Sequence, residues 1–288
     1  MDDEIPFYYE NLGGDSFVNK LKRIATSSLL FVVSYVLSNL LLQLLIARIS
    51  KMLKYSSKFS YNQVRVYPWD YHYWNRTSIV LIYLLSPFIC LVIGLFIFNL
   101  LRVYSSWSNV FRLFFFWLSV ALVNMVFTHA LLAPLGSPAD RNNGLYQTFA
   151  VVGIYLWINP TLIFMVSIGA LVASLSTGML VRKEVMRYSF SKKLIKNKKG
   201  MDSLVIQIYV LPVLMGCIPI LLLCTQAGFF TTVMELANLG VIAIGIFLMN
   251  SIGIATVRCN KKDVLNHIPV VEFAICTALW LGVFLFLR

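Results

Sequence analysis

Long stretches without a formal charge limit the possible folds of this chain more than any other feature. Residues 24–47, 77–101 and 113–139 form runs of 24, 25 and 27 residues that contain no Asp, Glu, Lys or Arg. A helix needs about 20 apolar residues to cross the hydrocarbon core of a bilayer. Only 12% of the 288 residues are charged, against about 25% in soluble domains. The sequence therefore predicts an integral membrane protein.

Four more apolar segments follow, at residues 149–181, 204–228, 236–257 and 268–287. We expect an all-α polytopic membrane protein with six to seven transmembrane helices, in the inner (cytoplasmic) membrane of a bacterium. The net charge of +12 is best explained by basic cytoplasmic loops, so no nucleic-acid partner is predicted. No acid lies inside the central apolar runs except Glu272, which disfavours a proton-coupled transporter.

Two basic loops guide the prediction of topology. Residues 48–76 carry six Lys or Arg and one acid, and residues 182–202 carry eight and two. Both loops are expected in the cytoplasm, where they would contact anionic lipid headgroups. The N-terminal segment, residues 1–23, holds five acids and three bases, and is expected on the other side of the membrane.

These assignments require an even number of crossings between the two loops, yet three apolar segments separate them. The third, residues 149–181, is too long for one simple crossing and contains Asn159 and Pro160. Proline removes a backbone donor and breaks helices, so a broken or re-entrant helix at this point would restore the even number. The alternative is that the loop at residues 48–76 lies outside despite its charge.

The first basic loop has a distinctive pattern of side chains. Residues 58–74, "KFSYNQVRVYPWDYHYW", alternate β-branched, aromatic and polar side chains, a pattern typical of strands. The sequence therefore predicts a small membrane-associated β-hairpin between the first two helices.

An amide pair interrupts the first apolar run, in "SNLLLQLLIAR". Asn39 and Gln43 are four residues apart and so lie on one face of a helix. Such amides often bond neighbouring membrane helices together. They are also compatible with a repurposed or vestigial site.

The amide-bearing helix and the strand-like loop after it resemble the first catalytic helix of the site-2 protease family of intramembrane zinc metalloproteases. The resemblance implies that Asn39 and Gln43 occupy the positions of the two zinc-binding histidines of HExxH, and that Leu40 occupies that of the general-base glutamate. Ser86-Pro87 in the second run is similar to the Gly-Pro pair of the family's next helix.

The third run, ending "THALLAPLGSPAD", resembles the family's helix that supplies an aspartate as third zinc ligand. His129, Pro134 and Asp140 would line the vestigial site or partner groove, although Asp140 lies three or four residues late and Gly136 or Ser137 is nearer the ligand position. An amide is a poor zinc ligand and leucine cannot accept a proton, so the resemblance implies a pseudoprotease without metal, cofactor or catalysis.

The resulting organisation has three parts: residues 1–23, a protease-like core at residues 24–140, and a C-terminal transmembrane bundle at residues 141–288. The predicted function is a non-catalytic subunit or scaffold that binds a membrane-protein or peptide partner within a larger complex. One alternative is a transporter or permease subunit whose broken helix at Pro160 lines a cavity. Another is an active metalloprotease that uses His72, His129 and Asp140.

Overall fold

A computed structural model describes most of the chain between residues 17 and 248. The described residues are 17–60, 63–67, 75–103, 108–137, 148–188, 198–223 and 228–248. In chain order, their helices and strands are α1 (Phe17–Met52), β1 (Ser56–Ser60), β2 (Gln63–Tyr67), α2 (Arg76–Tyr83), α3 (Leu85–Val103), α4 (Asn109–Leu132), α5 (Phe149–Tyr155), α6 (Pro160–Arg187), α7 (Lys198–Val205), α8 (Leu211–Leu223) and α9 (Phe229–Leu248). A 3₁₀ turn (Ala133–Leu135) extends α4, and a π-helical turn (Ile206–Val210) joins α7 to α8.

The helices confirm the all-α polytopic membrane fold. Within the described residues, six helical segments are long and apolar enough to cross a membrane: Lys20–Met52, Arg76–Val103, Asn109–Leu135, Pro160–Arg187, Lys199–Leu223 and Phe229–Leu248. The chain is therefore an integral, multi-pass membrane protein. The seventh predicted segment, residues 268–287, lies outside the described residues.

The predicted hairpin is present between the first two spans. Strands β1 and β2 pair antiparallel, from Ser56 opposite Tyr67 to Ser60 opposite Gln63. Val64 and Val66 are buried in the core on one side of β2, as expected from alternation along a strand, and both strands pack on α1. The described strands lie between Ser56 and Tyr67, and residues 68–74 of the predicted hairpin lie outside the described part of the chain.

Two spans are interrupted, each near a proline. In the second span, Leu84 separates α2 from α3, because Pro87 lacks the N–H that would bond the carbonyl of Tyr83. The break predicted at Pro160 is confirmed. The Asn159 side chain accepts a hydrogen bond of 2.9 Å from the backbone N–H of Thr161, and Pro160 takes the first position of α6, where its missing donor costs nothing.

The break does not remove a membrane crossing. Helix α6 has 28 residues and is about 42 Å long, so it spans the bilayer without α5. Three spanning segments thus separate the two basic loops among the described residues, and the expected even number is wrong. The structure agrees with the alternative, in which the loops lie at opposite ends of the bundle. We call the end of the bundle at which α1 ends, at Met52, the hairpin end. We call the opposite end, where Lys20 of α1 and Lys199 of α7 line one groove, the start end.

The core is organised around α4, which packs against α1, α3, α6 and α9. Trp117 is fully buried and its ring stacks on Tyr209 with centroids 5.2 Å apart. Its indole N–H donates to the Ser27 hydroxyl at 2.9 Å, and that hydroxyl donates to the carbonyl of Ile208 in the π-helical turn at 2.7 Å. A single chain of hydrogen bonds therefore connects α4, α1 and the π-helical turn.

Helices α6 and α9 approach most closely at two glycines. A Cβ built on Gly245 would lie 2.2 Å from the carbonyl oxygen of Leu175, and one on Gly178 would lie 2.6 Å from backbone atoms of Gly245. Real Cβ atoms essentially never come closer than 3.0 Å. Glycine is therefore required here, as is common where membrane helices meet.

Candidate functional site: a buried polar network

Glu235 is the central residue of a polar network inside the bundle, and the sequence analysis did not identify it. It lies in the second turn of α9 and is only 1% exposed. The sixth apolar segment was expected to begin at residue 236, which placed this acid outside the membrane. Helix α9 begins seven residues before that boundary, because the stretch "FFTTVM" is uncharged and joins the apolar run. The sixth apolar helix therefore contains an acid that the predicted boundary excluded.

Both carboxylate oxygens of Glu235 have partners on other helices. The hydroxyl of Tyr35 in α1 donates to Oε2, and Nε2 of His129 in α4 lies 3.2 Å from Oε1. The other ring nitrogen of His129, Nδ1, lies 3.0 Å from the hydroxyl of Thr148, directly before α5. All four side chains are buried. The network thus brings two residues from other helices to one carboxylate, and a third residue to the imidazole.

The imidazole of His129 can satisfy these contacts in two protonation states. In the neutral form with the proton on Nε2, the ring donates to Glu235 and Nδ1 accepts from the Thr148 hydroxyl. In the charged form, Nδ1 donates to the same hydroxyl oxygen, because that group can also accept. The ring is therefore held at both nitrogens, by the Glu235 carboxylate on one side and the Thr148 hydroxyl on the other.

An amide arm extends the network toward α6. The side-chain nitrogen of Asn124 donates to the backbone carbonyl of Glu235 at 2.9 Å. The side-chain nitrogen of Asn238 donates to Oδ1 of Asn124 and to the hydroxyl of Ser174, each at 3.1 Å. Interhelical hydrogen bonds in membranes contribute about 0.6 kcal/mol each on average, so this arm stabilises the α4, α6 and α9 contact modestly and fixes its register.

The predicted amide pair lies beside this network without joining it. Asn39 and Gln43 are both buried, at 7% and 2% exposure. The Asn39 side-chain nitrogen donates at 3.4 Å to the carbonyl of Tyr35 in its own helix. The Oε1 of Gln43 has no hydrogen-bond partner among the described residues. The structure therefore connects His129 to Tyr35, one turn before Asn39, and records no hydrogen bond from either predicted amide to His129 in the described part of the chain.

The remaining candidates that the structure describes do not join the network. Pro134 is exposed in the 3₁₀ turn after α4. Asn159 and Pro160 form the start of α6, as described above. Asp140 and His72 lie outside the described residues. Within the residues that the structure describes, no three His, Cys, Asp or Glu side chains come together in a group able to hold a metal ion.

A second buried charge cluster lies at the start end. Arg112 of α4 contacts Glu184 of α6 at 2.6 Å, and Arg187 contacts the other carboxylate oxygen at 2.9 Å. Both arginines also donate to the carbonyl of Leu101 at the end of α3, at 3.2 and 3.0 Å. Because the carboxylate and the carbonyl together offer acceptors to two cations, this cluster ties the ends of α3, α4 and α6 together.

Comparisons of this chain with known protein families, with curated proteins and with solved structures find no match.

Proposed function

We propose that this chain is a non-catalytic subunit of a complex in the inner (cytoplasmic) membrane of a bacterium, and that it retains a pseudoprotease-like core. The observation that carries the partner-binding part is the first half of α6. Between Thr161 and Gly169, every side chain is exposed or half-exposed, with Phe164 at 59% and Met165 at 62%. A helix packed within a bundle buries one face, whereas here even Ser167, which donates to the carbonyl of Leu131, is only half-buried.

The occupant that best fits this surface is a transmembrane helix of a partner protein. Gly169 lies on the exposed surface, and a Cβ built on it would meet nothing within 4 Å. Small residues in such positions let a second helix approach closely, and van der Waals packing then drives association in lipid. Trp157, 85% exposed just before α6, suits the membrane interface and would fix the depth of the segment.

The absence of catalysis in this proposal rests on side-chain chemistry. Leu40 at the general-base position cannot accept a proton, and the Asn39 amide bonds its own helix. The hairpin found between the first two spans supports the resemblance to the site-2 protease family, whose catalytic helix is followed by the same element.

Photo-crosslinking in cells tests the partner surface. A benzophenone side chain at Phe164 is expected to give one discrete adduct, whereas the same group at Phe96, which is 60% exposed on α3, gives none. Gly169→Leu should remove the adduct while leaving the level of the protein unchanged, because its side chain enters open space. Equal labelling at both sites, or an adduct that survives Gly169→Leu, would contradict the proposal.

A permease subunit is a second candidate, favoured by the Glu235–His129 pair. Ionisable residues inside membrane spans commonly mark proton or substrate pathways, and Thr148 connects this pair to α5, directly before the helix break. Proteoliposomes loaded with a pH-sensitive dye test it. The candidate requires proton movement above that of empty vesicles and its loss in Glu235→Gln. Vesicles as tight as the empty control would exclude it and leave the subunit proposal standing.

A further inference from the structure

A groove of about 490 Å³ lies between α1 and α7 at the start end of the bundle. Its polar lining comprises Lys20, Lys199, Asp202, Ser203 and Gln207. It lies in a different part of the bundle from the polar network and from the exposed half of α6. The groove is therefore a separate candidate site, and an inference about it does not depend on the proposed function.

In this groove, one atom of the Gln207 side-chain amide lacks a hydrogen-bond partner among the described residues. The residue is 7% exposed, and its Nε2 donates to the Ser203 hydroxyl at 2.9 Å. Its Oε1 has no partner among the described residues. Rotating the amide by half a turn lets Ser203 donate to Oε1, but then leaves Nε2 without an acceptor. A buried polar group left unpaired destabilises the fold, so a ligand atom that completes this amide would be bound favourably.

The backbone at Gln207 is also specialised. It belongs to the π-helical turn Ile206–Val210, and such turns are rare and often found at functional sites. The Ser27 hydroxyl holds this turn through its bond to the carbonyl of Ile208, and Trp117 in turn holds Ser27. The core of the bundle therefore fixes the position of the Gln207 amide in the groove.

The charges and walls of the groove indicate the class of ligand. Lys20 and Lys199 supply two positive charges and Asp202 one negative charge, so the lining is net positive. A net positive charge at the end of a membrane span attracts anionic headgroups. The rest of the groove wall is apolar and includes Ile206, which is 40% exposed.

We propose that the groove binds one anionic glycerophospholipid. Its phosphate lies between Lys20 and Lys199, and an ester carbonyl accepts from Nε2 of Gln207 while Ser203 donates to Oε1. One acyl chain lies along Ile24, Ile206 and Leu211. This assignment satisfies the unpaired amide, the two cations and the apolar wall with a single molecule that the surrounding membrane supplies.

Native mass spectrometry of the full-length protein, titrated with phosphatidylglycerol, tests the site. The wild type should retain one lipid at concentrations where Lys20→Gln/Lys199→Gln binds roughly thirtyfold more weakly, since each lysine near a membrane surface contributes about 1 kcal/mol. Gln207→Leu should also reduce retention, and Lys58→Gln, an equal charge change on β1 at the hairpin end, should not. Equal loss in Lys58→Gln, or full retention in the double variant, would overturn the proposal.

Two further arms identify the source of the ligand chemistry and control for folding. Phosphatidylglycerol should raise the Tm of the wild type, as any ligand of the native state does, and leave that of the double variant unchanged. Uncharged diacylglycerol and free glycerol phosphate at millimolar concentration should neither bind nor displace the lipid. Displacement by glycerol phosphate would show a site for soluble phosphate and refute the lipid assignment.

Discussion

Replacing Gly245 by alanine should separate α6 from α9 and destabilise the bundle. The added Cβ would lie 2.2 Å from the carbonyl oxygen of Leu175 and 3.0 Å from its carbonyl carbon. Since real contacts rarely fall below 3.0 Å, the two backbones must move apart by at least about 0.8 Å. The obstacle is backbone rather than the end of a flexible side chain, so local rotation cannot relieve it.

The separation would also lengthen the hydrogen bonds between α6 and α9. The bond of 3.1 Å between Asn238 and Ser174 would lengthen to about 3.9 Å and be lost. The bond of 2.7 Å from Arg182 to the carbonyl of Ile246 would approach the limit for a hydrogen bond. Overpacking costs about 1–3 kcal/mol and the lost bond about 0.6 kcal/mol. We expect Gly245→Ala to lower the free energy of unfolding by about 2–3 kcal/mol.

Equilibrium unfolding of the full-length protein in bicelles, followed by the fluorescence of its tryptophans, measures this change. Gly240→Ala is the matched control on the same helix, because a Cβ there meets nothing within 4 Å. It should leave stability unchanged or raise it by up to about 1 kcal/mol, the difference in helix propensity. If Gly245→Ala proves as stable as Gly240→Ala, then α6 and α9 do not approach each other closely at Gly245.

Three further substitutions test the buried polar groups with the same unfolding measurement. Glu184→Ala leaves Arg112 buried without its carboxylate and should cost about 3–5 kcal/mol; a loss below 1 kcal/mol would show the pair to be solvated. Tyr35→Phe removes one donor to Glu235 and should cost about 1.5–3 kcal/mol, whereas no loss would mean that another donor replaces it. Tyr188→Phe should be neutral or stabilising, because that hydroxyl is buried without a hydrogen-bond partner among the described residues. Burial, and then the nearby Glu184 carboxylate, raise the pKa of Tyr188 well above its usual range. The folded wild type therefore keeps this proton while the unfolded chain loses it, so wild-type stability should fall above about pH 10, and Tyr188→Phe should remove that part of the fall.

The spans, the hairpin and the helix break were accessible from sequence because each depends on local chemistry. Uncharged runs of sufficient length indicate membrane-spanning helices. The alternation of β-branched, aromatic and polar side chains indicates the strands after α1, and Pro160 indicates where α6 begins. The topology required more than local patterns. The charge of the loop at residues 48–76 suggested the same side as residues 182–202, whereas the length of α6 places the two loops at opposite ends.

The polar network was harder to predict because its contacts are distant in sequence. Tyr35 and Glu235 are 200 residues apart, and no local pattern indicates that a tyrosine one turn before Asn39 reaches a carboxylate on α9. The position of Glu235 could have been recognised if the sixth segment had been allowed to begin at Phe229. The spacing of Asn39 and Gln43 predicts a shared helix face, whereas the network joins single residues from separate helices.

Basic residues at both ends of the bundle affect how the chain enters the membrane during synthesis. A protein with lysines and arginines on one side only receives a single orientation signal, but here Lys51, Lys54 and Lys58 at the hairpin end oppose Lys20 and Arg187 at the start end. The final orientation depends on the difference between two competing signals, since the insertion machinery responds to their balance. Small changes of charge at Lys51, Lys54 or Lys58 should consequently alter the fraction of molecules inserted each way round.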